Sequence, residues 1–426
     1  MLCAGAEQFV DWTAAYRLFS KERIDQDSLF APARQAVIDR LPDDEALTIM
    51  LDDTLIRKRG RKIPGTTWKR DPLGPKFQTN LVWGQRFLQM SAALPDVDGD
   101  GRARGIPIDF VHAPSPAKPK KTAPPETWAN YRAQQRLMRI GKVAAERLHS
   151  LRQEVKGRNI ICSVDGGFTN QTMFRDIPEN TILIGRIRKD ARLYSPPDDI
   201  ADKPRRGRQR WYGQNLPTPE EVRQDESIPW RQVEAYAAGA RHLFDVKHIP
   251  AVRWKGTGNR TGQVVIVRPL AYRPRQGAKL QYRNPAYLLC SDQSLSLEKI
   301  LQSYLWRWEI ELNFRDEKTV MGVGQAQVRN THSVESAPML GVAAYSYLLL
   351  AGTAATPNAS LPTPKWQKRT PENRSSTQMM QNLFRAQLWN IAMLKNKTYF
   401  ASKSRTTQSL FYSNHALNSA ACYAFK

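Results

Sequence analysis

Two short apolar runs of this sequence end in aspartate. The run "ALTIMLDDT" ends in Asp52 and Asp53, and the run "NIICSVDGG" ends in Asp165. Runs of this length, bounded by turn residues, indicate buried strands. A carboxylate at the end of a buried strand is favourable where a charged partner meets it there. Aspartate also commonly begins a turn, and "DGG" is a turn signal. A functional acid and a turn residue therefore both remain open for each position.

The order of helical and strand patterns predicts an α/β fold. Arg132 to Val155 is an amphipathic stretch that predicts one helix, and it leads directly into the second apolar run. The Pro- and Lys-rich stretch from His112 to Trp128 predicts an exposed loop. Along the whole chain we predict five segments: a helical N-terminal region at 1–45, the first part of the core at 46–180, a β-rich insertion at 181–292, completion of the core at 293–352, and a linker with a helical tail at 353–426. The N-terminal helices suit a DNA-binding bundle or simple scaffolding equally well.

The charge of the chain favours a polyanionic partner. Lysine and arginine number 64 against 40 aspartates and glutamates, which gives a net charge of +24. Such an excess in a soluble chain is typical of nucleic-acid binding. The alternative is a basic protein without a DNA substrate, such as a ribosome-associated factor.

The cysteines and the apolar segments exclude two other classes. The four cysteines, Cys3, Cys162, Cys290 and Cys422, form no C-x-x-C pair, so we expect buried thiols in a reducing cytosol rather than disulfides or a zinc site. The longest apolar run, Met339 to Gly352, is short for a membrane span. We expect a buried helix there and no membrane association.

The stretch "YLWRWEIELNFRDEK", Tyr304 to Lys318, places polar side chains on one helical arc. At 100° per residue, the polar row lies beside an apolar stripe that would pack on the core, while the remaining acids point to solvent. The alternative is an ordinary set of helix-surface ion pairs. The three sets are the polar row of Tyr304, Arg307, Glu311 and Lys318; the apolar stripe of Leu301, Leu305, Trp308 and Leu312; and the solvated Glu309, Asp316 and Glu317.

The spacing Tyr304-x2-Arg307-x3-Glu311-x6-Lys318 resembles the Y-R-E-K signature of bacterial insertion-sequence transposases of the DDE type, in the IS-four group. The "LDDT" and "SVDGGFTN" runs stand in the order of the first two catalytic positions of that family. The resemblance covers roughly residues 45 to 350. It implies an RNase H-like catalytic core, a mixed sheet flanked by helices, with a β-rich insertion and a helical N-terminal region.

The resemblance also implies the residues of the catalytic site. Asp53, Asp165 and Glu311 would be the catalytic triad and would bind Mg²⁺ or Mn²⁺, as two ions. Asp52 and Asp53 point to opposite faces of a strand, so one of them reaches the metal. The resemblance favours Asp53, the residue directly before Thr54.

Six further residues are expected to contact DNA. Tyr304, Arg307 and Lys318 would hold phosphates near the cut. Arg57 and Lys58 begin the basic run "RKRGRK", which suits a DNA clamp or a solvated charge run. Trp254, with Trp211 as the other candidate, would stack on a flipped base; either tryptophan is equally interpretable as a core residue.

The function implied is transposition: cutting transposon inverted-repeat ends and joining them to target DNA. A homodimer would pair the two ends, and the protein would be bacterial, cytoplasmic and nucleoid-associated. Two alternatives remain open, a decayed or domesticated DNA-binding transposase without activity and an RNase H-fold nuclease without strand transfer.

Overall fold

The computed structural model describes residues 12–71, 74–75, 77–96, 101–197, 210–273, 277–355 and 374–395. The described residues belong to two compact units, one from Gln26 to Phe314 and one made of the residues before and after that range. The catalytic positions predicted above all fall in the first unit.

The secondary structure elements follow in chain order. The first part contains α1 (Trp12–Ser20), α2 (Gln26–Ile38), β1 (Leu47–Arg57), β2 (Thr67–Arg70), β3 (Leu81–Pro95), β4 (Ala103–His112), α3 (Pro125–Leu137), α4 (Ile140–Glu154), β5 (Ile160–Val164) and α5 (Gln171–Arg175). The middle part contains β6 (Thr181–Arg186), β7 (Leu193–Tyr194), β8 (Asn215–Leu216), α6 (Pro219–Gln224), β9 (Arg231–Ala237), β10 (Ala240–Trp254), β11 (Gly262–Val267), β12 (Ala271–Tyr272), β13 (Gln281–Tyr282) and β14 (Ala286–Cys290). The last part contains α7 (Leu297–Trp306), α8 (Trp308–Thr319), α9 (Thr331–Ala355) and α10 (Thr377–Lys395).

One large mixed sheet dominates the first unit. Its strands run in the order β2-β3-β1-β5-β6-β14-β11-β10-β7-β8, with β4 also paired to β3 and β9 also paired to β10. The pairs β1–β5 and β5–β6 are parallel, and β1–β3 and β3–β4 are antiparallel. A mixed sheet flanked by helices confirms the predicted RNase H-like α/β core.

The two apolar runs are the central strands of this sheet. All five residues of β5 are buried, as are the first five of β1, Leu47 to Leu51. Strands covered on both faces carry continuous apolar runs rather than an alternating pattern. The sequence therefore located the core strands correctly. The strand β6 lies at the start of the predicted insertion, yet it pairs in parallel with β5 at the centre of the sheet.

The single helix predicted from Arg132 to Val155 is wrong, because the chain divides into α3 and α4. Arg139 has an extended backbone, with φ −62° and ψ 131°. Helix α4 buries Ala144, Leu148 and Leu151, whereas α3 buries no residue. Only the second half of the predicted helix, which forms α4, therefore has a buried apolar face.

The helix predicted over Tyr304 to Lys318 is also divided, at Arg307. Ser296 caps the start of α7 by accepting a hydrogen bond from the N–H of Lys299 at 3.2 Å. At Arg307 the backbone N–H donates to the carbonyl of Tyr304, three residues back. This local tightening changes the angular positions that a uniform helix would give to the residues beyond it.

Because of the tightened turn, the tryptophan that packs on the core is not the predicted one. Trp308 is 58% exposed, so it does not pack on the core. Trp306 packs there instead, beside a cluster that contains Met50 and Ile310, and its Nε1 donates to the carbonyl of Gly101 at 2.9 Å. Glu309 is not simply solvated either, since its Oε2 accepts from the N–H of Gly105 at 3.2 Å.

A buried polar network attaches α8 to the sheet. The side chain of Gln89 donates to Ser91, and Ser91 donates to Asn313 Oδ1 at 2.9 Å. Asn313 Nδ2 then donates to the carbonyl of Gly105 at 3.0 Å. A Cβ atom on Gly105 would lie 2.9 Å from Asn313 Oδ1 and from Glu309 Cβ. Glycine at this position therefore allows α8 to lie directly on β4. This contact sets the distance between the sheet and the helix that carries Glu311.

The second unit is helical. The hydroxyls of Ser333 and Ser336 on α9 donate to the carbonyl of Phe19 on α1. Thr377, at the start of α10, donates to Asp316 Oδ2 at 2.6 Å, and the side chain of Glu317 is buried. The prediction that Asp316 and Glu317 are solvated is therefore wrong.

Helix α9 is longer than the apolar run that predicted it. The segment Thr331–Ala354 has the length and hydropathy of a membrane span, with mean hydropathy 1.3, and half of its apolar window is buried within the protein. Core helices of soluble proteins have the same properties.

Of the predicted buried thiols, Cys162 and Cys290 are buried, and burial raises the pKa of the Cys290 thiol to about 12. Cys3 and Cys422 lie outside the described residues.

Replacing Asn313 by alanine tests the attachment of α8. The substitution leaves the Ser91 hydroxyl and the Gly105 carbonyl without their partner, and an unsatisfied buried polar group costs about 1–3 kcal/mol. We expect Asn313→Ala to lower the free energy of unfolding in urea by about 2–3 kcal/mol. The exposed Asn130→Ala on α3 is the matched control, with a change below about 0.5 kcal/mol. Equal unfolding midpoints for the two variants would contradict the role of the network.

Candidate active site

The parallel pairing of β1 and β5 places Asp52 beside Asp165. Leu51 pairs with Val164, so the next residues along the two strands, Asp52 and Asp165, occupy neighbouring positions. Partners in a parallel pair project to the same face of a sheet. Asp165 therefore lies beside Asp52, the alternative to the predicted Asp53, although 112 residues of chain separate Asp52 from Asp165.

Asp52 and Asp53 project to opposite faces of β1. Asp52 shares its face with Met50, which packs in the cluster beneath α8. Asp53 lies on the other face, where its Oδ2 is 3.2 Å from Arg86 Nε. The structure thus brings Asp52, and not Asp53, to the side of the sheet covered by α7 and α8.

Arg307 links Asp52 to Glu311. Its Nη1 lies 3.5 Å from Asp52 Oδ2, and its Nη2 lies 2.9 Å from Glu311 Oε1. The arginine side chain is 14% exposed, so this bridge is largely shielded from water. The guanidinium carbon also lies 5.8 Å from the ring centroid of Tyr304. Tyr304, Arg307 and Glu311 of the predicted row therefore lie together despite the turn between α7 and α8.

The carboxylates of this site repel one another. Burial raises the pKa of the Asp52 carboxyl from 3.8 to about 7, and the charge of Asp165 adds to that rise. The hydrogen bond from the Asp53 N–H and the charge of Arg307 oppose it. Burial also raises the pKa of the Tyr304 hydroxyl. A site that holds several acids against their charge is a typical location for a cation.

Asp53 has a different environment, with two cationic neighbours. Burial raises its pKa and the charge of Asp165 adds to that rise, while the positive charges of Arg86 and Lys69 oppose it. Burial and the charge of Arg86 lower the pKa of the Lys69 ammonium to about 8. Lys69 also donates to the hydroxyl of Ser115. Asp53 therefore has two cationic side chains near it, whereas Asp52 has Arg307.

Asp165 serves as a turn residue as well. Its Oδ1 accepts from the N–H groups of Gly167 at 2.8 Å and Phe168 at 3.1 Å. The hydroxyl of Thr169 donates to its carbonyl at 2.7 Å. The turn interpretation of "DGG" is confirmed, and the same turn fixes the orientation of the Asp165 carboxylate beside Asp52.

The acidic site, defined as Asp52, Asp165 and Glu311, offers oxygen donors of the chemical type that a hard divalent cation prefers. Carboxylate oxygens are the ligands that Mg²⁺ prefers, and a cation would relieve the repulsion that raises the pKa of Asp52. Within the part of the chain that the structure describes, no group of three or more His, Cys, Asp or Glu side chains is close enough to hold one ion. The guanidinium of Arg307 lies between Asp52 and Glu311 instead.

The remaining predicted DNA contacts are spread more widely. Arg57 lies four residues beyond Asp53, about 13 Å along β1 at roughly 3.3 Å per residue, and its Nη2 pairs with Asp71 Oδ2 at 2.8 Å. Burial lowers the pKa of Lys58. Arg61 of the same basic run lies over the rings of Trp68 and Trp83. Lys318 lies on α8 in the part assigned to the other unit.

Trp254 contacts the element that follows Asp165. Its ring meets Phe174 of α5 edge-on, with centroids 5.8 Å apart, and α5 begins at the turn that Asp165 starts. Trp211 is 39% exposed, and its carbonyl accepts from Arg253 Nη1 at 2.7 Å. Both tryptophans lie in the predicted β-rich insertion, and Trp254 is the one tied to the acidic site through α5.

Four residues near the acids were not found from the sequence. They are Arg86 and Lys69, which flank Asp53, and Ser91 and Asn313, which position α8. The available signal was weak: "WGQRFLQMS" contains Gln85, Arg86, Gln89 and Ser91 among apolar residues, without strict alternation. The register of β3 against β1, which brings Arg86 to Asp53, could not be read from that pattern.

A comparison with protein families identifies the chain. The sequence profile of the DDE superfamily endonuclease family matches residues 6–261, more than half of the 426-residue chain. The matched segment includes Asp52, Asp53 and Asp165 and ends before Glu311. A search of curated proteins finds no match. The matched profile, the mixed sheet and the paired aspartates agree, and the chain belongs to the DDE superfamily endonuclease family.

Proposed function

We propose that the protein is a DNA transposase that cuts transposon ends and joins them to target DNA by metal-dependent phosphoryl transfer. The observation that carries the proposal is the placement of Asp52 beside Asp165, with Arg307 linking Asp52 to Glu311. The net charge of +24 supports DNA as the substrate.

Asp52, Asp165 and Glu311 would hold Mg²⁺ or Mn²⁺, as two ions. Bound there, divalent cations supply electrostatic stabilisation of the attacking and leaving oxygens at phosphorus. This assignment differs from the resemblance at one position, since the geometry favours Asp52 over Asp53 as the first ligand. The choice rests on the face of β1 to which each side chain points.

The chain's own residues position the DNA. Arg307 offers a guanidinium fork to a phosphate, and Tyr304 offers its hydroxyl beside it. Asp165 is held by its turn, and Glu311 is held by the attachment of α8 to the sheet. Lys318 would contribute a further phosphate contact. Pairing two transposon ends would require a homodimer.

The chemistry consists of two displacements at phosphorus. In cleavage, a water oxygen bonds to phosphorus and the 3′-oxygen of the transposon end leaves with a proton. In joining, that 3′-hydroxyl oxygen bonds to a target phosphorus, and a target 3′-oxygen leaves. No covalent bond to the protein forms, so no nucleophilic side chain is needed.

The choice between Asp52 and Asp53 is tested by a matched pair of variants. With Mg²⁺ and linear DNA that carries the flanks of the gene, Asp52→Asn should reduce the rate of nicking by at least about 100-fold, since it removes a ligand oxygen charge. Asp53→Asn, which alters only the contact with Arg86 and Lys69, should reduce it by less than about 10-fold. The opposite ranking would restore Asp53 as the ligand.

Glu311→Gln tests the third acid and the reaction class. We expect no detectable nicking or joined product, with DNA affinity retained within about threefold, because the amide removes the charge and keeps the shape. Glu298→Gln on the exposed start of α7 is the control and should remain active. A Glu311→Gln protein that still cleaves would refute the site. Cleavage by the wild type without joined products would indicate a nuclease, and DNA binding without cleavage would indicate a decayed transposase.

The raised pKa of Asp52 predicts a pH-dependent gain in stability on its removal. Because its folded pKa lies above the ordinary value of 3.8, its contribution is fully present below about pH 4 and is lost as the pH rises through about 7. At pH 8 the ionised carboxylate therefore destabilises the fold, by about 2–4 kcal/mol at about 1.4 kcal/mol per pH unit. Without metal, Asp52→Asn should raise the free energy of unfolding more at pH 8 than at pH 5.

Stability measured with Mg²⁺ tests whether a cation offsets the charge of Asp52. At pH 8 the ion should raise the melting temperature of the wild type and have a smaller effect on Asp52→Asn, since ligand binding to the folded state stabilises it. Asp190→Asn, an exposed aspartate paired with Arg188, should behave as the wild type does with Mg²⁺. A uniform response of all three proteins to pH and to Mg²⁺ would contradict the assignment.

A further inference from the structure

A cavity of about 620 Å³ lies on the Asp53 side of the site. Its walls come from β3, from the chain before α4 and from the turn that follows Asp165. No carboxylate lines it, while two arginines do, and the remaining polar side chains are hydroxyls and amides. The lining includes Arg86, Ser115, Tyr131, Met138, Arg139 and Asn170.

One wall of the cavity is an arm, defined as residues 113–139, which includes α3. Helix α3 has no buried residue, and Leu137 is 59% exposed at its end. A helix without a buried face gains little stability from packing. Something that covers α3 would supply the missing contact.

The charge of the arm indicates what that partner is. Between residues 114 and 139 there is one acid, Glu126, against six basic residues, which are Lys118, Lys120, Lys121, Arg132, Arg136 and Arg139. A polyanion complements this surface. Prolines at 114, 116, 119, 124 and 125 restrict the segment before α3 to extended conformations, so the arm has fewer conformations to lose on binding.

The cavity connects to the acidic site through two of its walls. Arg86 lies with its Nε 3.2 Å from Asp53 Oδ2. Asn170 caps α5 by accepting from the N–H groups of Thr172 and Met173, directly after the turn that holds Asp165. A DNA strand that reaches the acidic site would therefore lie next to this cavity, on the Asp53 side of β1.

The side chains suit a nucleotide with its base unstacked. Arg86 and Arg139 are fork donors for phosphate oxygens. The ring of Tyr131 packs edge-on with Trp128, with centroids 5.8 Å apart, and Met138 lies beside it on the cavity wall. Aromatic rings stack on bases irrespective of sequence. The volume lies in the range of roughly 300–1,000 Å³ found for small-ligand pockets, which matches single nucleotides and not a duplex.

We propose that this cavity, between the arm and β3, binds unpaired nucleotides of the DNA strand that enters the acidic site. The inference rests on the proposed function, because it assigns the cavity to the same DNA substrate. It adds a second subsite on the opposite face of β1 from Arg307.

The test measures binding apart from cleavage. A fluorescein-labelled oligothymidylate is titrated in EDTA against the full chain carrying Glu311→Gln, alone or with one further change. Arg139→Gln should weaken binding by about fivefold and reduce the slope of log K against log salt by about 0.7, the value for one single-strand phosphate contact. Arg132→Gln removes the same charge from α3 without lining the cavity, and it should weaken binding by less than about twofold.

A second variant and a cross-link locate the base. Tyr131→Ala should weaken binding by about fivefold with little change in the salt slope, as loss of stacking does. Thiothymidine in the oligonucleotide should cross-link to Tyr131 or Met138. Melting temperatures within about 2 °C of the parent show that each variant is folded.

Three results would overturn the inference: equal losses for Arg139→Gln and Arg132→Gln, cross-links confined to other regions, or tighter binding of an RNA oligonucleotide of the same length. Failure of the proposed function looks different. In that case the wild type with Mg²⁺ leaves DNA intact, whereas oligothymidylate still binds and cross-links at the cavity.

Discussion

The parallel pairing of β1 with β5 is the constraint on which the site depends. It puts two carboxylates side by side at the centre of a sheet, where burial and mutual repulsion raise the pKa of Asp52 to about 7. A fold stabilised by apolar strands tolerates this repulsion only if opposite charge is available. Arg307 supplies it in the structure, and bound cations would supply it in the proposed reaction. The same repulsion thus explains the position of the arginine and would favour the cations of the proposed reaction.

The sheet also determines where the third acid lies. Glu311 sits on a helix whose position is set by Asn313, Ser91 and the glycine of β4. A buried polar network specifies one arrangement where an apolar contact would allow several. The site is therefore as rigid as the contact between α8 and the sheet. The cavity beside the arm lies on the other face of β1. Asp52 therefore belongs to a face rich in carboxylates, whereas Asp53 borders a cavity lined by two arginines.

Much of this arrangement could be predicted from the sequence, and the failures have physical causes. The apolar runs gave the central strands, and the spacing from Tyr304 to Glu311 brought three residues of one row together. A uniform helical wheel could not anticipate the tightened turn at Arg307, so Trp308 was predicted to be buried where Trp306 packs instead. The face of β1 that meets the helices depends on strand register and layer order. Register and layer order depend on contacts between distant parts of the chain. The sequence alone therefore left Asp52 and Asp53 as alternative ligands, and only the resemblance favoured Asp53.

The distance in sequence between the strands has a consequence for biosynthesis. Residues are made in order, and the strand pair that places Asp52 beside Asp165 closes a loop of more than 100 residues, whereas α8 with Glu311 follows much later in the chain. Closure of so long a loop carries an entropic penalty that only the later contacts offset. A chain that ends before α8 therefore lacks both Glu311 and the contacts that attach α8 to the sheet. In the proposed reaction, a nascent chain has no complete site with which to cut DNA until α8 has been synthesised.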